Sequence, residues 1–393
     1  MCQDFSFGGC RMINLEIYIK SLKITWVRRL LQADRLSNWM NLFLDSNAIC
    51  LNTFLIAGDE YYLKLSKTVK NIFWKNVLSS LADFMRIIPM DSKDDILNEP
   101  LWLNSKIKIG NESIFYKDWS LKGIHIVQDL FNNNGDPLNF ECFRNKYGLN
   151  IPFTSYFGLI NTILSKWNIL KDISHINENP YRPNLIKYLL KEKKGCRTFY
   201  DIFLKSLYVK PASEYKWENE LNTELNAENW KTINVNNFKI TKDSKLIGFQ
   251  YRLIHRILAT NKFLNCIKIK NNPYCEFCNR EIETLIHIFC NCINVKIFWI
   301  SLERIILNKT GLNIKLTNKE IILLQHRNNT INFIILLAKY YIYRKRFYDK
   351  NLDAGDFIHT VKKYYEIEKF SARINAKYNK FEKKWNCIKG IFN

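Results

Sequence analysis

Residues 275–299 read CEFCNREIETLIHIFCNCINVKIFW, and the spacing Cys-x2-Cys-x8-His-x4-Cys inside them decides how this part of the chain is built. Cys275 and Cys278 can face one point only where the backbone turns tightly, and Pro273 fixes the approach to that turn. Such a turn presents the first two ligands of a tetrahedral zinc site. Good helix formers over 281–289 are expected to carry His287 on one face. The fourth thiol lies just beyond at Cys292 or, two residues earlier, at Cys290. Four protein ligands fill the shell and leave no open position for water or substrate, so the expected metal is structural and not hydrolytic.

Upstream, residues 243–260 read as a helix leading into this stretch. Leu246, Phe249, Leu253, Ile254 and Ile257 share one side of it, and Arg252, His255 and Arg256 form a separate stripe. With Lys262, that stripe is a candidate phosphate clamp beside the metal module. Downstream, residues 331–338 are apolar almost all round and are expected in a core. From Lys339 to Lys350 the pattern interleaves Tyr340, Tyr341, Tyr343, Phe347 and Tyr348 with Arg344, Lys345 and Arg346. Aromatic faces beside cations suit stacking on unpaired bases together with phosphate contact, so Tyr343, Arg344, Lys345 and Arg346 are candidate nucleic-acid contacts. Phe370, Ile374, Tyr378, Phe381, Trp385 and Ile388 then recur at near-heptad spacing, the packing seam of a last helix.

The first half is helical by the same test. In residues 12–45, Leu15, Ile19, Leu22, Trp26 and Leu30 predict an apolar face, with Lys20, Lys23, Arg28 and Arg29 on the others. A second helix is expected over 62–88. Residues 106–116 change period: Lys106 to Ile109 alternate, Gly110-Asn111 turns, and Ile114-Phe115-Tyr116 returns, a short β-hairpin. Helices follow at 140–147 and 152–167. Asn-rich residues 171–183, closed by Pro180 and Pro183, read as a boundary. The expected fold is therefore mainly α, bundle-like, with one short hairpin and a small CCHC zinc module. Its expected domains are 1–170, 171–240 and 241–393.

At 393 residues, with 47% hydrophobic residues, the chain can bury large cores and is not of the disordered class. Its net charge of +22 points first to phosphate polyanions as partners. The odd count of 11 cysteines, irregularly spaced outside the metal stretch, and the absence of a basic-then-apolar leader predict an intracellular, reducing setting. The longest apolar run is too short to span a bilayer, so no membrane role is expected.

FQYRLIHRILATNKFL followed by the 275–299 stretch resembles the zinc-binding region after the polymerase of LINE-type (non-LTR) retrotransposon reverse transcriptases. The shared pattern is an aromatic-basic helix ending in Ala-Thr-Asn, then Cys-x2-Cys, an acidic-Thr segment (here Glu281, Glu283 and Thr284), a His, four residues, a Cys, and a Trp seven positions later. That last interval implies Cys292, at the family's distance from Trp299, and not Cys290. Weaker likenesses cover nearly the whole chain, among them Leu22 to Trp26, Ile109-Gly110-Asn111 with Trp119, and Glu368 to Trp385. The resemblance implies a segment that holds the element's RNA during target-primed reverse transcription, binding RNA or single-stranded DNA with little sequence preference. Its other expected partners are the remaining retroelement machinery. The family polymerase's aromatic-Ala-Asp-Asp turn has no counterpart here: Asp94-Asp95 follows Ser92-Lys93 and is expected to open a helix. No catalytic residue is expected, and the chain is read as the C-terminal part of a larger polyprotein.

Overall fold

A computed structural model describes residues 2–32, 51–132, 134–171, 184–191, 194–348 and 350–392; the side chains of 51–53 and 171 lie outside that description. Among the described residues the fold is mainly α with a single two-stranded hairpin, as the periodicity predicts. It divides into two compact units, Ile13–Tyr208, and Met1–Met12 joined to Val209–Asn393.

The first unit contains α1 (Leu15–Gln32), α2 (Leu51–Ile56), α3 (Asp59–Thr68), α4 (Ile72–Ile87), α5 (Lys93–Leu97), β1 (Lys108–Ile109), β2 (Glu112–Ser113), α6 (Lys117–Leu121), α7 (Phe140–Tyr147), α8 (Phe153–Lys166), α9 (Asn184–Leu190) and α10 (Arg197–Ser206). α1 buries only the C-terminal end of its expected face. Leu15, Ile19 and Leu22 are exposed, Trp26 packs at the edge of the core and Leu30 is buried, while Ile17, Ile24 and Val27 of the neighbouring face enter a core with Leu78, Leu81 and Phe84 of α4. The two faces are similarly apolar, so periodicity could not choose between them. The buried one also carries Ser21 and Arg28, which bond to the Ile17 carbonyl at 2.7 Å and the Gly195 carbonyl at 2.7 Å. The remainder of the expected helix beyond residue 32, and residues 172–183 of the expected boundary, lie outside the described residues.

The helix expected over 62–88 is two helices, because Asn71 accepts hydrogen bonds from the N–H groups of Phe73 and Trp74 and starts α4 afresh. The hairpin forms at its expected turn, with Lys108 opposite Ser113 and Ile109 opposite Glu112. Asp95 completes a capping box with Ser92 at the start of α5, the role expected of it.

The second unit contains α11 (Ala212–Glu220), α12 (Ala227–Ile240), α13 (Ser244–Ile254), α14 (Asn261–Cys266), α15 (Ile293–Thr310), α16 (Asn318–Leu323), α17 (Asn329–Tyr348), α18 (Ala354–Ile374) and α19 (Tyr378–Trp385). The expected connecting region 171–240 is thus shared out: α9 and α10 belong to the first unit, α11 and α12 to the second. Its N-terminal part joins through Phe5, whose ring sits 3.9 Å from that of Phe238.

α17 is the axis of this unit. Its residues Ile331 and Phe333 through Ala338 are buried, as read. Around them lie Phe249 and Leu253 of α13, Phe298 and Leu302 of α15, Phe357 and Val361 of α18, and Trp385 of α19. Each such side chain contributes about 1.5–3 kcal/mol on burial.

Lys339 is also fully buried, where the sequence places the start of the cationic half. Its ammonium donates to Gln250 Oε1 at 2.7 Å and the Ile322 carbonyl at 3.1 Å, and burial holds it well below the ordinary lysine range. The expected last helix is broken at Ala376, which takes φ +53°. Phe381, Trp385 and Ile388 are buried after the break, while Phe370 and Ile374 before it are exposed.

Candidate metal centre

The chain reaches the site through α14. Thr260 caps it, accepting from the Phe263 N–H, and Asn261 inside it donates to the Tyr274 carbonyl at 2.7 Å. The Cys275 N–H donates to the Glu281 carbonyl and the Asn279 N–H to the Cys275 carbonyl, both at 2.8 Å. Asn279 takes φ +51°, a left-handed conformation that asparagine tolerates well. This closes the turn that aims Cys275 and Cys278 at one point.

Residues 281–284 are extended, not helical as expected, because Ile282 pairs with Tyr274 in an antiparallel bridge. A helical segment then begins, and over His287–Asn291 it widens into a π-type turn in which the Cys292 N–H donates to the His287 carbonyl at 2.8 Å. Closing the backbone over five residues carries Cys292 back above His287. Cys290, three residues after His287, is buried in the hydrophobic core, where burial pushes its thiol up to about 12.

The ligand atoms of Cys275, Cys278, His287 and Cys292 all lie within 4.8 Å of one another. Cys275 Sγ is 3.9 Å from Cys292 Sγ, and Cys278 Sγ is 3.5 Å from His287 Nε2. A tetrahedral ion with bonds of ~2.3 Å to sulfur and ~2.0 Å to nitrogen sets such atoms about 3.5–3.8 Å apart. The group therefore fits one metal ion, with Cys292 as the fourth ligand.

The metal-free pair of Cys275 and Cys292 shares one proton, with the thiolate favoured at Cys292. The Cys275 thiol donates to Cys292, which lowers Cys292 and raises Cys275 relative to a free thiol. Backbone N–H groups of Val295 and Asn294 point at Cys292, which opens α15, and those of Cys278 and Phe277 point at Cys275.

Two side chains contact His287 directly, and two more brace the backbone around the site. The Glu281 carboxylate stands 3.0 Å from His287 Nδ1, the ring nitrogen that faces away from the thiols. The Thr284 hydroxyl accepts from the His287 N–H at 3.1 Å. Glu283 is completely buried; its Oε1 accepts from the Asn261 N–H and from Arg346 Nη1, both at 2.7 Å. The Trp299 indole donates to the Phe289 carbonyl at 2.8 Å. His287 Nδ1 is buried and makes no well-aligned hydrogen bond, and Glu281 is the acceptor within reach of it. A carboxylate so placed behind a ligating imidazole fixes its tautomer, so Glu281→Gln is expected to weaken metal binding about 10-fold without unfolding the chain. Competition with a chromophoric chelator measures this, and an unchanged affinity would remove Glu281 from the site.

The sequence-predicted cations are not brought together. Arg256 lies beyond the end of α13 at φ +59°, its guanidinium 4.3 Å from the Trp217 ring centroid and paired in a fork to Glu220 at 2.6 and 3.0 Å. The acidic segment around Trp217 thus occupies it, and the expected stripe with Arg252 does not form, because the helix ends at Ile254. Ile257, expected on the apolar side, is exposed for the same reason. Burial holds the His255 imidazole below its usual range despite a hydrogen bond to the Gly8 backbone, so it is neutral near pH 7.

Arg346 is sealed inside against Glu283, and the Tyr343 hydroxyl donates to the Ala259 carbonyl at 3.1 Å. These two are internal braces, not surface contacts. Lys345 stands 4.0 Å from Asp356 and over the Tyr341 ring. Arg252, Lys262 and Arg344 remain exposed.

No family model matches the chain, and the curated proteins return no match. Among the described residues, no helix is long and apolar enough to cross a membrane.

Proposed function

We propose that the chain is a zinc-stabilised RNA- or single-stranded-nucleic-acid-binding segment, of the kind that follows the polymerase in a LINE-type retrotransposon reverse transcriptase. What supports this most is the convergence of Cys275, Cys278, His287 and Cys292, in the spacing on which the resemblance rests. Glu281, Glu283 and Thr284, which share that resemblance, each have a defined task around the ligands. A net charge of +22 supplies the affinity for phosphate. The segment works inside the cell by holding the element's RNA, with the metal shaping the surface and taking no part in chemistry.

Affinity for a single-stranded RNA is expected to fall steeply with salt, by ~0.7 in log–log slope for each phosphate neutralised. Fluorescence anisotropy across a salt series measures this, and a flat response would retire the nucleic-acid role. Incorporation of dNTPs by the purified chain in a primer-extension assay would overturn the non-catalytic one.

A second reading, a zinc-stabilised protein-docking module, draws on one observation. Ile293, Ile297 and Ile300 form an exposed row on α15 directly after Cys292. A salt-insensitive chain that bound no RNA would favour that module.

A further inference from the structure

α17 and α18 leave a pocket of about 360 Å³ between them, within the ~300–1,000 Å³ span of small-ligand sites. Four tyrosine rings line it: Tyr340, Tyr341 and Tyr348 from one face of α17, and Tyr364 from α18. The first two and the last are held in position. Tyr340 packs edge-on against Phe249 at 5.4 Å, the Tyr341 hydroxyl donates to the Asp353 carbonyl at 3.2 Å, and the Tyr364 hydroxyl donates to Asp243 Oδ2 at 3.2 Å. Tyr348 is 82% exposed, an open ring at the mouth.

Leu337, Thr360 and two cations complete the lining, and among the described residues no carboxylate joins them. Lys345 is engaged by Asp356, but Arg344 is exposed and makes no ion pair among the described residues. Its guanidinium carbon lies 6.0 Å from the Tyr340 ring centroid.

From this geometry we infer that the pocket is a subsite for one unpaired nucleotide of RNA or single-stranded DNA. The base stacks among the tyrosines and closes against Tyr348, and the adjoining phosphate takes Arg344. Fixed aromatic walls favour a flat, unsaturated ligand, and a lone unpaired guanidinium at the rim favours an anion covalently attached to it. A nucleotide within a strand carries both. The inference rests on the nucleic-acid reading above and gives it a location. Of the contacts expected from the sequence on this helix it keeps Arg344 and drops Tyr343 and Arg346, which point inward, while Tyr340 opens onto the pocket beside Arg344.

The full chain is titrated with a labelled single-stranded oligouridine, with the same strand lacking its bases, and with one carrying 2-aminopurine. Tyr348→Ala is expected to weaken oligouridine binding roughly 5- to 100-fold. The baseless strand should bind the wild type comparably weakly and be indifferent to Tyr348→Ala. Arg344→Ala is expected to reduce the salt slope by ~0.7, the loss of one phosphate contact, and Arg344→Lys to restore most of it. The 2-aminopurine emission should be quenched on binding to the wild type and far less on binding to Tyr348→Ala. Both residues are exposed, and unchanged circular dichroism confirms that the variants are folded.

Wild-type protein that binds oligouridine with a steep salt slope, while both variants and the baseless strand bind equally well, would overturn the subsite and leave the nucleic-acid reading standing. Wild-type protein that binds neither strand would overturn both. Displacement of oligouridine by a polyglutamate peptide from the wild type but not from Arg344→Ala would assign the pocket to an acidic protein segment instead.

Discussion

Cys275→Ser and His287→Ala are each expected to release the metal and to unfold the stretch that follows Asn261. Cys275 and Cys292 are fully buried, and His287 nearly so. Without an ion, three sulfurs and an imidazole are confined within 4.8 Å, where thiolates repel one another and protonated thiols have only weak sulfur and imidazole partners in place of four metal bonds. Binding of a structural zinc is worth about 10–16 kcal/mol in isolated modules, and much of that is folding free energy. Ile288 and Phe289 leave the core when the stretch opens, so the loss is expected to spread into the unit. Metal content after purification, read together with a thermal melt, tests this. Cys292→Ser should behave in the same way. Cys290→Ser should keep one metal per chain and lose only the ~1–3 kcal/mol of a buried hydroxyl without a partner. Loss of metal from Cys290→Ser with retention in Cys292→Ser would reverse the assignment of the fourth ligand.

The ligand set was legible because spacing constrains it: two thiols on one tight turn and a histidine nearby leave few ways to converge. The route between them was not. Residues 281–284 alternate two glutamates with the β-branched Ile282 and Thr284, a local lean too weak to decide between a helix and the non-helical segment that the Tyr274–Ile282 bridge imposes. The widened turn at His287 is likewise a tertiary outcome, since a regular helix would bring Cys290 rather than Cys292 nearer the histidine face. The same limit governs the cations. Arg344 and Arg346 are indistinguishable as members of a basic run, yet one is exposed and the other completely enclosed. What separates them is Glu283, a carboxylate 63 positions away. In α1, two faces of similar apolarity competed, and the Gly195 carbonyl awaiting Arg28 marked the buried one; Ser21 bonds within its own helix and could lie on either. Helical periodicity finds the elements; the pairing of buried charged groups over long separations helps select their faces.

That pairing makes Arg346→Ala the second large effect expected. The Arg346 and Glu283 side chains are 1% and 0% exposed, and the guanidinium also donates to the Ala259 carbonyl at 3.0 Å and lies over the Tyr343 and Phe347 rings. Removing the arginine strands a buried carboxylate that retains the Asn261 N–H and, at 3.4 Å, the Glu276 N–H as donors. The expected cost is about 3–5 kcal/mol, measured by urea unfolding followed by circular dichroism. Because Glu283 sits between Glu281 and Thr284, which hold His287, the same variant should also bind metal more weakly. Glu283→Gln alone leaves a buried guanidinium without its counter-ion and should be comparably damaging. Combined with Arg346→Met it should cost less than the two separate losses added together, since no uncompensated charge then remains inside. A loss below about 0.5 kcal/mol for Arg346→Ala would place the residue in the solvated class, and strict additivity in the double variant would deny the pair. Arg344→Ala, two residues away, makes the opposite control: it should leave the urea midpoint and metal content where they are and change only the affinity for nucleic acid.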